Sequence, residues 1–162
     1  KRADMRELPF ADGRFNIVYM MYTSFGYFAD ASDDDRVLQE VSRVLAPEGL
    51  FILDIGNYQR MMKSFNDKTD VTLADGTTVL EEHEFDVNTS CVTSRRTITP
   101  KNGKPVIYNF AVRAYEKNVL AAKIAAFGMD IKYSYGNYNM DEHTPESPRL
   151  ILVAQKKEIK NI

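Results

Sequence analysis

The stretch from Phe15 to Ile55 leaves this chain few ways to fold. Phe15-Asn16-Ile17-Val18-Tyr19-Met20-Met21-Tyr22 is almost continuously apolar and rich in β-formers, which predicts a strand buried on both faces. A loop, Thr23 to Asp30, separates it from a helix with readable ends. Ser32 with Asp35 three residues on forms a capping-box-like start, and Asp33 and Asp34 place negative charge at the positive end of the helix dipole. Val37, Leu38, Val41, Val44 and Leu45 fall on one helical face, and Pro47 and Gly49 end the helix. Leu50-Phe51-Ile52-Leu53-Asp54-Ile55 is a second buried strand. Two buried strands joined by a helix-length crossover predict a parallel βαβ unit of right-handed connection.

Downstream the period changes to two. Val71 to Leu73 and Thr77 to Phe85 flank the turn signal Ala74-Asp75-Gly76. Cys91 to Thr99 follows a turn at Asp86 to Ser90, and an Asn102-Gly103 turn leads into Val106 to Val112. This predicts an antiparallel meander over 71–114 with one packed and one wet face. Glu81, Glu82 and Glu84 read as its solvated charges. Between the βαβ unit and the meander, Met61, Met62 and Phe65 predict a short helix lying over apolar surface. Tyr115 to Phe127 is then a helix with the stripe Leu120, Ile124 and Phe127, closed by Gly128. Met129 to Tyr135 and Arg149 to Ala154 are two further strands around a polar loop, and the tail Lys156 to Ile162 is expected to fray or end in a short helix.

With 162 residues the chain reads as a single domain, 1–162, large enough to bury roughly 70% of its unfolded surface. A formal net charge of −2 gives no support for a nucleic-acid partner or an anionic membrane, and no apolar run reaches the length of a membrane span. One cysteine, Cys91, excludes an internal disulfide framework or a cysteine-rich metal cluster and fits a cytoplasmic home. No signal peptide is read at Lys1-Arg2-Ala3-Asp4, and no metal site, catalytic triad or nucleophile elbow is found.

Four segments together resemble the class I S-adenosylmethionine-dependent methyltransferases. They are Asp4 to Phe10, Phe15 to Val18, Thr23 to Phe28, and Val44 to Asp54. The run Arg43-Val44-Leu45-Ala46-Pro47-Glu48-Gly49 is the most specific. The likeness is to the small-molecule branch, which includes N-methyltransferases of nucleotide-linked amino sugars. It covers nearly the whole chain but only part of the family's domain. The eight glycines include no G-x-G, so the glycine-rich cofactor loop and its opening strand are missing. The implied fold is α/β, a partial Rossmann-like methyltransferase sheet. It comprises the parallel βαβ unit, a terminal antiparallel hairpin, and the inserted 71–114 meander as a roof over the substrate.

The resemblance also implies roles. Asp4 and Met5 would hold the adenine of S-adenosylmethionine, the carboxylate accepting from the exocyclic amine and the next backbone N–H donating to the ring; read by itself, Asp4 is a loop acid. Tyr22 would line the methionine moiety. Thr23, Ser24 and Phe25 would line the small-molecule acceptor, since ligands in such sheets bind beyond the carboxyl ends of the strands. Asp54 to Asn57 occupies an equivalent strand end, where Asn57 either faces the acceptor or caps a turn. Arg113 and Tyr115 either anchor an anionic acceptor or tie sheet to helix. His83, Tyr138 and His143 are further polar candidates, and either histidine would serve as a base or be structural. No catalytic residue is assigned.

The edge of strand 15–22 would be bare, long and apolar, which predicts a homodimer or assembly through it, or a missing segment that accompanies the chain as a separate piece. Two functions follow. One is a methyltransferase acting on a small molecule, N- or O-directed, of which this chain alone is inactive. The other is a non-catalytic binding or assembly domain derived from one. The back half of a nicotinamide dehydrogenase fits less well, given Arg43 to Gly49.

Overall fold

The computed structural model describes residues 1–158. The parallel βαβ unit is present: β1 (Phe15–Met20), α1 (Ala31–Val44) and β2 (Leu45–Gly56), with β1 parallel to β2. α1 starts two residues earlier than its sequence suggested. Its N-cap is Asp30, whose carboxylate accepts from the Ser32 amide at 2.9 Å, so Ser32 lies inside the first turn. Its inner face is the expected one, with Val37, Leu38, Val41 and Val44 buried.

The short helix α2 (Tyr58–Lys63) leads into a second sheet. β3 (Lys68–Thr72), β4 (Thr78–Asp86), β5 (Cys91–Thr99) and β6 (Val106–Arg113) pair antiparallel in chain order. The meander thus begins at Lys68 and shares no strand with the first sheet. Its β5–β6 connection is not a tight Asn-Gly hairpin. Gly103 N–H bonds back to Pro100 O, and β5–β6 pairing resumes only at Val106, because Pro105 has no N–H to offer the ladder. The three glutamates divide with the strand period. Glu82 and Glu84 are exposed, but Glu81 is half-buried between Arg96 and His83.

α3 (Lys117–Ala126), β7 (Met129–Tyr135) and β8 (Arg149–Lys156) complete the order β1-β2-β8-β7, with β8 antiparallel to both neighbours. The terminal hairpin is therefore as expected. β8 runs to Lys156; of the tail, 159–162 lies outside the described residues.

The core forms where α1 and α3 cover one face of this sheet. Val18 and Met20 of β1, Phe51, Leu53 and Ile55 of β2, and Leu150, Leu152 and Ala154 of β8 meet Leu38, Val41, Leu120 and Ile124. The expectation of strands buried on both faces fails for β1. Ile17 is 54% and Tyr19 69% exposed, because no described helix covers the opposite face. β1 pairs only with β2, so its outer edge is free among the described residues.

Candidate functional site at the carboxyl ends of the parallel strands

The strand register decides what meets at the top of the sheet. Met20 pairs with Leu53, so the chain leaving β1 passes the next residue of β2, Asp54. On the other side Gly56 pairs with Arg149, which sets that guanidinium beside the same acid. Asp54 is fully buried. Its Oδ1 accepts from Arg149 Nε at 2.7 Å, and its Oδ2 accepts from the Tyr22 amide and the Tyr138 phenol, each at 2.8 Å. Its carbonyl takes the Thr23 amide at 3.0 Å. Thr23 Oγ1 accepts from Arg149 Nη2 at 3.2 Å and from the Gly56 amide at 3.1 Å. Burial of the Asp54 charge is thus matched by one cation and two neutral donors.

The loop is bent sharply to reach this acid. Tyr22 and Thr23 both have left-handed backbones, φ 56° and 58°. Two successive non-glycine residues in that region cost about 1–3 kcal/mol each, and the Asp54 contacts offset the cost. Tyr22 is left 78% exposed, its ring 6.1 Å from that of Tyr138. The phenol of Tyr138 is held above its ordinary pKa by its hydrogen bond to the Asp54 carboxylate.

A second buried acid, Asp34, ties the loop to the meander. Arg113 Nη1 donates to its Oδ2 at 2.5 Å and Tyr115 Oη at 2.7 Å. Arg113 Nη2 also reaches the Ala29 carbonyl at 3.1 Å. Burial, followed by the Asp34 contact, pushes the Tyr115 phenol well above its usual range. Among the described residues, Asp34 Oδ1 is buried with no partner. The sequence reading gave Asp34 a part only in the helix dipole; in the structure it is also the buried anchor of Arg113 and Tyr115. Beside it lies a cleft of about 730 Å³ whose walls include Asp30, Tyr58, Ser90, Arg113, Tyr115 and Glu116. The cleft lies between the α1 and α3 N-termini and the β4–β5 turn.

The remaining candidates fall as follows. Asp4 is exposed and grips Arg6 through both oxygens, 2.9 Å to the amide and 2.8 Å to Nη2. This pair holds its carboxyl down at about 2. Arg6 also meets Asp33 at 2.7 Å and lies over the Phe28 ring. Met5 packs half-buried on the core. Ser24 is half-buried in the loop, while Phe25 is 2% exposed and packs at 5.6 Å on Tyr115. Asn57 is buried. Its Oδ1 caps α2, and its Nδ2 donates to the carbonyls of Thr144, Pro145 and Ser147, so its polar atoms are used within the chain. His83 bonds Ser94 Oγ at 2.8 Å on the meander. His143 is held below its ordinary pKa by burial, then by the charge of Lys117. Neither histidine touches Asp54 or Asp34 in the contacts above.

The sequence reading missed Asp34, Arg149 and the pairing of Tyr138 with Asp54. The partners lie 79, 95 and 84 residues apart, so no local spacing reveals them. Arg149 did carry a signal, as a lone cation opening an apolar strand.

Residues 1–53 match the family described as "Methyltransferase domain". YqeM of Bacillus subtilis (strain 168), which carries a methyltransferase name, is 33% identical over 66 residues, 41% of this chain and 27% of that protein. The CcbJ methyltransferase from Streptomyces caelestis superposes with a TM-score of 0.84 at 13% identity, over 95% of this chain and 66% of that one. CalS10 from Micromonospora echinaspora, an amino pentose methyltransferase solved with S-adenosylmethionine bound, gives 0.66 at 18% identity, over 96% and 63%. The chain therefore spans about a quarter of YqeM and a little under two thirds of the two solved chains. Residues 1–53 thus resemble the methyltransferase family in sequence, and over its described length the chain has the fold of S-adenosylmethionine-dependent methyltransferases.

Proposed function

We propose that the protein moves a methyl group from S-adenosylmethionine to a small-molecule acceptor at the carboxyl ends of β1 and β2, with the meander as roof. The observation that carries this is the Asp54 cluster. A strained loop is held by a buried acid at the strand ends where ligands bind in open α/β sheets. The small-molecule acceptor is supported by the amino pentose methyltransferase among the similar structures.

The residues present fit one part of the cofactor. Tyr22, Thr23 and Ser24 would line its methionine end, and Asp4 with Met5 its adenine, where the base amine would share the Asp4 oxygens with Arg6. No G-x-G stands in the sequence to bring backbone against the rest. When bound, the cofactor supplies an electrophilic methyl carbon on a sulfonium. The chain's own part is to fix geometry: Asp54 locks the loop, and the cleft beside Asp34 holds the acceptor. Arg113, spent on Asp34 and on loop carbonyls, orders this wall and is not the anchor for an anionic acceptor. Positioning accounts for much of the rate in such a displacement, so no described residue is assigned as a base. Free Cys91 supports a reducing, cytoplasmic setting; no described helix is long and apolar enough to cross a membrane.

Titration calorimetry of this chain with S-adenosylhomocysteine tests the reading. Micromolar binding supports it. No binding up to millimolar removes it for these residues and favours the second reading, an assembly module derived from a methyltransferase. The bare edge of β1 and the uncovered Ile17 and Tyr19 speak for that alternative, with a second copy paired at the edge as homodimer.

A further inference from the structure

We propose that the outer edge of β6 is a self-association site, where a second copy of this chain adds its own β6 antiparallel about a two-fold axis at Asn109. The inference stands on the strand itself and does not rest on the methyl-transfer reading.

Four strands border the two sheets, β1 and β7 in one, β3 and β6 in the other. Charge blunts two of them. β3 carries Lys68 and Asp70, and β7 carries Asp130 and Lys132 with a register shift between Ile131 and Tyr133. β1 is uncharged, but its pairing shifts between Phe15 and Ile17, which leaves a short regular run. β6 has no such device. From Val106 to Val112 it holds no charged residue, glycine or proline, and its pairing with β5 is unbroken. Val106, Ile107 and Tyr108 are nevertheless exposed.

Two bonds show which way the strand faces. Ala114 N–H donates to Ser90 O at 2.8 Å, on the β5 side, and Arg113 N–H donates to Gly26 O at 2.7 Å, on the other. Backbone groups alternate sides along an antiparallel strand. Ile107, Asn109 and Ala111 therefore aim N–H and C=O away from β5. The free run has matching ends. The outward N–H of Arg113 is given to Gly26, and Pro105 has no N–H. An axis at Asn109 sets Ile107 opposite the partner's Ala111, and Pro105 opposite the partner's Arg113. The ladder then makes about six backbone bonds and stops at both ends where neither strand has a donor to give. A strand from another protein would need no such symmetry.

Charge selects the antiparallel direction. Lys101 and Lys104 are exposed before β6, and Glu116 is exposed after it. Antiparallel copies bring the basic end of one strand toward the acidic end of the other, whereas parallel copies set lysine against lysine. Across the axis itself no like charges face each other.

Sedimentation velocity of this chain at tens of micromolar is expected to show a dimer. Asn109→Lys alters an exposed side chain and sets like charges at the axis, so it should weaken the dimer at least about fivefold, as should Asn109→Glu. An equimolar mixture of the two variants should regain the dimer, since lysine then faces glutamate. Asn109→Pro removes one outward N–H, spares the β5 ladder, and should also give monomer. Ile17→Lys with Tyr19→Lys should leave this dimer intact. A monomeric unaltered chain overturns the proposal and leaves the edge to a foreign strand or to solvent. A dimer that survives Asn109→Lys, a mixture that stays monomeric, or a dimer abolished by the β1 changes overturns it equally.

Discussion

Asp34 and Asp54 hold opposite ends of one loop, and each does so as a buried ion pair. Removing one partner of such a pair leaves a charge without compensation, which costs more than the pair contributes. Asp34→Asn is expected to lower stability by about 3–5 kcal/mol in urea unfolding. Tyr115→Phe, which spares the Arg113 contact, should cost about 1 kcal/mol. Asp4 responds to pH. Its carboxyl lies at about 2 against a usual 3.8 because Arg6 bonds it, so the pair's support is complete above the usual value and is lost as pH falls through about 2. A carbon-detected carboxyl titration should place its midpoint there, and Arg6→Ala should return it to the ordinary range. These acids were only half legible beforehand. Asp4 stood in a readable motif, whereas Asp34 looked like Asp33 beside it, and only folding brings Arg113 to one and Arg6 to the other.

At the scale of elements, periodicity carried most of the architecture. The α1 stripe, the α3 stripe and the turn before β4 each came from a local pattern, and each is present. The run from Arg43 has a physical reason as well. Arg43 donates to the carbonyls of Leu8 and Phe10 and pairs with Glu40, sewing the opening loop onto α1. What was not legible was the uncovered face of β1. Apolar residues alternate onto both sides of the strand, and nothing local says which side receives a helix. The junction of loop and meander was equally silent. There Gly26 O accepts from Arg113 N–H at 2.7 Å. A Cβ on Gly26 would fall 2.6 Å from the Arg113 carbonyl oxygen, at φ +92°. Gly26→Ala should therefore lower Tm by roughly 4–10 °C, readable by circular dichroism.

Among the described residues, α1 and α3 cover one face of the main sheet, and the other is uncovered at β1. Ile17 and Tyr19 stand outward on the bare side, outside the core cluster. Replacing both with lysine should leave the circular dichroism spectrum unchanged and reduce light scattering from concentrated solutions, because charge at a free edge opposes strand-to-strand pairing. The meander, for its part, hangs from the end of β2 through α2 and returns directly to α3, and its four strands form ladders only with one another. Two sheets that share no ladder need not melt together. Amide hydrogen exchange should sort this chain into two cooperative units: β2 and β8 exchanging only through global unfolding, and β3 to β6 through a cheaper opening that frees the meander while the first sheet stays folded. A ligand too bulky for the cleft beside Asp34 would then enter at a rate set by that opening and not by diffusion.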